Sequence, residues 1–94
     1  MGFDEVKRQV IAALLAGTYQ HEARGDIEVK NLLATNVVAV DVVIALLRQS
    51  RGSEHSVSPH HLVASIDVHV IRCRGWYIKF YFLEPDAWFI SVHE

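Results

Sequence analysis

The stretch Gly75-Trp76-Tyr77-Ile78-Lys79-Phe80-Tyr81-Phe82 alternates apolar and polar residues with a period of two, the mark of a strand with one buried and one exposed face. Trp76, Ile78, Phe80 and Phe82 point one way, and Tyr77, Lys79 and Tyr81 the other. Residues 66–72 and 88–94 carry similar patterns on either side of it. The links between the three, Cys73-Arg74-Gly75 and Leu83-Glu84-Pro85-Asp86-Ala87, are short and rich in turn residues, so the last third of the chain predicts a three-stranded antiparallel meander.

Upstream of the meander the period changes. Phe3, Val6, Val10, Ala13 and Leu14 fall on one helical stripe, with Asp4 and Glu5 at its positive end and Gly17 just beyond it, which predicts a helix over 4–16. Thr18 to Gly25, with His21, is polar and predicts a connection. Asp26 is placed to cap a second helix through Ile27, Leu32 and Leu33 that ends near Thr35-Asn36. Val37-Val38-Ala39-Val40 reads equally as an extended piece or as the start of a third helix. Residues 41–47 are apolar almost all round and predict a buried helix, with Arg48, Gln49 and Arg51 at its end and Gly52 as its stop. Residues 52–65 are irregular and hold His55, His60 and His61, with 53–56 a candidate short strand. The sum is an α+β fold: two to three N-terminal helices packed on one face of an antiparallel sheet.

Ninety-four residues, 51% of them hydrophobic, describe one small folded domain, 1–94. One cysteine, Cys73, excludes an internal disulfide and makes a zinc-finger framework a poor fit. The first residues lack the basic-then-apolar order of a secretory signal, and the apolar run 10–16 is too short to span a bilayer, so the expectation is a cytoplasmic protein with no membrane partner. The net charge of −2 is unlike that of a general nucleic-acid binder. Within 42–82, however, Arg48, Arg51, Arg72, Arg74 and Lys79 stand against only Glu54 and Asp67, and four of the six histidines lie there.

Strand alternation also predicts register, because a slip of one residue would turn every side chain over. A three-residue loop in the first hairpin sets His69 opposite Lys79 and puts Val68 and Val70 in the core. A five-residue loop in the second pairs Phe82 with Trp88, Phe80 with Ile90 and Ile78 with Val92, and sets Tyr77 opposite His93 and Lys79 opposite Ser91. His69, Tyr77, Lys79, Ser91 and His93 then cluster on the outer face of three adjacent strands. Two imidazoles, a lysine and a tyrosine are the groups needed to cut RNA without a metal. Imidazole, which titrates near pH 6.5 when unperturbed, can take the 2′-hydroxyl proton or protonate the leaving oxygen, and a cation can stabilise the phosphorane. A solvated sheet face with no chemistry, or an aromatic-rich binding surface for a protein or nucleic acid, fits the same pattern. A metal site at His60 and His61, joined by His55, His69 or His93, finds no carboxylate cluster or cysteine pair nearby in sequence.

The segments Asp67-Val68-His69, Trp76-Tyr77-Ile78-Lys79-Phe80 and Phe89-Ile90-Ser91-Val92-His93-Glu94 resemble the MqsR family of bacterial toxins, mRNA-cleaving members of the RelE-like ribonuclease fold. The helix at 41–46, followed by an irregular loop and a meander, is similar in element order. The resemblance implies a RelE-like sheet and an endoribonuclease (mRNA interferase) that needs no cofactor. It implies a cognate antitoxin as partner beside the RNA, with the ribosome an open third. Tyr77 matches a catalytic tyrosine of the family, and His93 stands where the family commonly has a catalytic lysine. The family's other lysine and its glutamine before Asp-Val are absent, since Arg48-Gln49-Ser50-Arg51 and Ser65-Ile66 occupy those regions. The catalytic candidates are therefore His69, Tyr77, Lys79 and His93. Arg48, Arg51, His60, His61 and Arg72 are candidate RNA contacts, and no metal ligand is assigned.

Overall fold

The first helix, α1 (Phe3–Ala16), buries Val6, Val10, Ala13 and Leu14, as its stripe predicts. It ends at Gly17, whose φ of 76° is left-handed and whose N–H bonds the Ala13 carbonyl. A computed structural model describes the chain over Met1–Glu94. The buried helix is α3 (Val40–Gln49), which turns Val43, Ile44, Leu46 and Leu47 inward and leaves Val42 exposed. Lys7 of α1 donates to the carbonyls of Arg48 (2.7 Å) and Ser50 (3.1 Å), so a side chain from one helix serves carbonyls at the end of the other.

The second helix is shorter than the sequence suggests. α2 (Ile27–Lys30) is one turn, and Asp26 makes no capping bond; its carboxylate pairs with Lys30 at 2.9 Å instead. Asn31 ends the helix because it is tied elsewhere. It is fully buried, bridges to Val92, and bonds His21 Nδ1 through its Nδ2 (3.0 Å) and the Ala34 N–H through its Oδ1 (3.1 Å).

Five strands form one mixed sheet, which corrects the expected antiparallel one: β1 (Tyr19–His21), β2 (His55–Pro59), β3 (Asp67–Cys73), β4 (Trp76–Leu83) and β5 (Asp86–His93), in spatial order β1-β5-β4-β3-β2. The meander is present as β3-β4-β5. β2 adds an antiparallel edge displaced from the expected 53–56, which instead includes a single 3-10 turn over Gly52–Glu54. β1 pairs parallel to β5, so the sheet is mixed, and part of the expected polar connection is a strand. α1 and α3 cover the face carrying Ile71, Cys73, Ile78, Phe80, Ala87, Phe89 and Val92. On the outer face Val68, Tyr81 and Ile90 form a smaller cluster with Ile66 and Trp88. No helix is long and apolar enough to cross a membrane.

Both hairpins depart from the expected register. The first turn is two residues, Arg74-Gly75, both at positive φ (52° and 82°), the conformation that matches strand twist in tight hairpins. Cys73 therefore faces Trp76, Ile71 faces Ile78 and His69 faces Phe80, one residue away from the expected His69–Lys79 pairing. Val68 and Val70 turn outward, yet both stay buried. In the second hairpin the expected pairs Tyr77–His93, Ile78–Val92 and Lys79–Ser91 form. Beyond them a bulge at Ile90 shifts the ladder, so that Phe80 faces Phe89 and Tyr81 faces Trp88.

Candidate functional site

The outer face keeps four of the five residues that the expected register gathers. Tyr77 and His93 are directly opposed, with their rings 5.1 Å apart and 22° from parallel. Arg72, opposite Tyr77 on β3, lays its guanidinium over that ring at 5.3 Å from the centroid. Lys79 faces Ser91 one step along the same strands. His93 Nδ1 lies 2.9 Å from the Glu94 carbonyl oxygen. That oxygen can only accept, so the proton sits on Nδ1 and the Nε2 lone pair is left open in the neutral ring.

His69 is not among them. The one-residue shift puts it on the helix side, only 3% exposed, against Phe80 (5.6 Å) and Phe82 (5.7 Å). Its Nδ1 shares a hydrogen bond of 3.0 Å with His55 Nε2. Burial, and then the charge that His55 would carry, push the His69 pKa down to about 4. Its ring is therefore neutral over the physiological range and set in apolar packing.

Beside Tyr77 and His93 the segment carrying Arg24, Asp26, Ile27 and Lys30 closes against β4 and β5. The result is a cavity of about 370 Å³ lined also by Tyr77, Lys79, Ile90, Ser91 and His93. Its cations are Arg24, Lys30 and Lys79 against one carboxylate, Asp26, on a chain whose net charge is −2. Arg24 is held from behind: Nε and Nη2 donate to Glu22 Oε1 (3.0 and 2.8 Å), and Nη2 also reaches His61 Nδ1 (3.2 Å).

The same Glu22 is the hub of a partly buried network. Its other oxygen accepts from His60 Nε2 at 3.1 Å, and Tyr81, edge-on to the His60 ring at 5.0 Å, faces it as well. Burial works to raise the Glu22 carboxyl, but hydrogen bonds from His60, Tyr81 and Arg24, with the Arg24 charge, outweigh it and hold the pKa at about 2. Burial and then Glu22 push the Tyr81 phenol up to about 12. His60, a candidate RNA contact from the sequence, is 8% exposed, and its Nδ1 accepts from the Leu62 and Val63 N–H groups. With Nδ1 accepting, the proton is on Nε2 and donates to Glu22.

Glu22, His60 and His61 offer ligand atoms within 4.8 Å of one another, the spacing of a cation site. A metal at His60 Nε2 would have to displace that donated proton while Nδ1 stays committed, and Arg24 already stands between Glu22 and His61. The set is better described as an internal clasp. Of the other candidate contacts, Arg72 is on the outer face, and His61 is exposed beside Arg24. Arg48 lines a shallow cleft with Leu15, Asp41 and Ile44 on the helix side, and Arg51 is exposed at the 3-10 turn. The sequence reading missed Glu22, Arg24 and Lys30. The one signal was the alternation Tyr19-x-His21, which marks the strand that delivers Glu22.

Set beside known proteins, this chain matches no protein-family model, and no curated protein or solved structure matches it closely enough to lend it a fold family or a function. The class that the fold and site define is a small α+β domain with a cationic, aromatic-rimmed cavity on the exposed side of a mixed sheet.

Proposed function

We propose that this chain is a metal-independent endoribonuclease toxin of RelE-like, MqsR-type character that cleaves single-stranded mRNA and is neutralised by a cognate antitoxin. One observation carries the reading: Tyr77 and His93 are directly opposed at the rim of a cavity that also holds Lys79. His93 Nε2 takes the proton of a ribose 2′-hydroxyl, and the 2′-oxygen attacks phosphorus. The bond to the 5′-oxygen breaks, and that oxygen leaves with a proton from the Tyr77 hydroxyl. Lys79 and Arg72 balance the charge that develops on the phosphorane. Every proton in the step has a protein group to carry it, so no metal is required. His69, buried on the other face of the sheet, takes no part.

The antitoxin would cover the outer face rather than extend the sheet at β2. The His60 N–H bonds the Ile66 carbonyl, so by alternation the polar backbone groups of His55, Val57 and Pro59 point away from β3. The His55 N–H is already bonded to Gly52 and Pro59 has none, leaving Val57 as the strand's one outward donor. Such an edge is a poor template for strand addition.

The test is cleavage of a single-stranded RNA in EDTA. Wild type should give 2′,3′-cyclic phosphate and 5′-hydroxyl ends, and His93→Ala should be slower by about 10²–10⁴-fold, with Tyr77→Phe also impaired. Equal cutting by wild type and both variants would remove this site. RNA retained without cleavage would favour the alternative, a binding module that uses the same face without chemistry.

A further inference from the structure

We infer that the cavity beside Tyr77 and His93 is a preorganised oxyanion site for the phosphate group of a nucleotide, built by Arg24, Lys79 and Ser91. The inference rests on the outer face being the functional one but not on any cleavage step. Three independent features point to an anion. A guanidinium has five N–H donors; Arg24, which lines the cavity, commits Nε and Nη2 to Glu22 and His61, which fixes its plane and leaves the Nη1 pair without a protein partner. An arginine locked from one side loses little freedom when it takes a phosphate on the other. Lys79 lines the same space half-buried and takes part in neither of the chain's ion pairs, Arg24–Glu22 and Lys30–Asp26. Ser91, only 8% exposed, has a hydroxyl with no protein partner, yet no buried polar side-chain atom is left unsatisfied. Its oxygen must therefore open onto the cavity, where it can donate to a ligand.

The floor fits the rest of a nucleotide. Ile27 and Ile90 supply apolar surface between the charged groups, and about 370 Å³ of space takes a phosphate with its sugar. A phosphate can accept from the Arg24 guanidinium and the Lys79 ammonium together, whereas a neutral sugar or peptide gains no charge-assisted bond from either pairing, which is why a phosphate group is the ligand of choice.

Isothermal titration with three ligands tests this: inorganic phosphate, a deoxydinucleotide with a 3′-terminal phosphate, and the same deoxydinucleotide without it. None has a 2′-hydroxyl, so none can be cut, and binding is read apart from RNA cleavage. Wild type should bind a phosphate-bearing ligand, and the ranking of the two dinucleotides separates a terminal phosphate from an internal diester. Lys79→Gln and Arg24→Lys should each weaken binding by about tenfold or more, although Arg24→Lys keeps the charge. Arg8→Gln, on the exposed side of α1, should leave it unchanged. No binding at millimolar ligand, or equal loss with Arg8→Gln, overturns the inference, and RNA cleavage by that same protein would leave the proposed function standing. Binding without any RNA cleavage would do the reverse.

Discussion

His69 occupies a position that an apolar residue could fill. It lies opposite Phe80, is packed by two phenyl rings, and has one nitrogen bonded to His55. His93, by contrast, stands at a cavity rim with its Nδ1 tied back and its other nitrogen open. The two histidines therefore separate cleanly by substitution. His69→Leu keeps apolar volume and removes every proton-transfer capacity. Its RNA cleavage, assayed well below the melting temperature, should stay within about twofold of wild type, while His93→Leu falls by about 10²–10⁴-fold. A comparable fall in His69→Leu, with an unchanged melt, would return His69 to the chemistry.

Among the elements, the most informative is the segment from Glu22 to Val38, because little of it is regular and yet it completes the cavity. Asn31 pins it: the side chain reaches His21, and the neighbouring Leu32 N–H bonds the Val92 carbonyl at 2.8 Å. Removing that amide strands a buried acceptor on His21 and a donor at Ala34, so Asn31→Ala should cost about 1–3 kcal/mol. Urea melts would read the loss, and the Leu32 amide should exchange faster with solvent than in wild type. How much of this was legible follows from the same elements. α1, α3 and the three C-terminal strands announce themselves because periodicity and burial coincide in them. The first register misled because Asp67-Val68-His69-Val70-Ile71-Arg72-Cys73 offers apolar residues to both faces, Val68 and Val70 on one and Ile71 and Cys73 on the other. The turn, which settles the choice, is a residue shorter than expected. The Tyr77–His93 and Lys79–Ser91 pairs match the expectation because the bulge at Ile90 offsets the one residue by which the ladder next to the second turn differs from the expected one. The clasp of Glu22 with His60 was not, because 38 residues separate the partners and no local pattern joins them.

At the scale of the whole molecule, acid should destabilise this protein over two overlapping pH ranges. His21, His55 and His69 all have pKa values lowered by burial, His69 to about 4. Each is easier to protonate unfolded than folded. Their stabilising effect is thus complete above the unfolded value near 6.5 and drains away as pH falls toward the folded values. Asn31 sharpens the loss in the first range, since its Nδ2 donates to His21 Nδ1 and a proton there would abolish the bond. Glu22 acts in the second range. Its folded pKa of about 2 lies below the ordinary carboxyl value of 4.5, so its contribution is present above 4.5 and is lost as pH falls toward 2. For His69, which is almost fully buried, the drop from 6.5 to about 4 corresponds to a loss on the order of 3 kcal/mol by pH 4. Urea denaturation at pH 7.5, 6.0, 5.0 and 4.0 should therefore show wild-type stability falling below pH 6.5, and His69→Leu should fall less steeply over the same range. Parallel slopes for the two proteins would mean that His69 is not held neutral by its burial, and the acid sensitivity would have to come from His21 and His55.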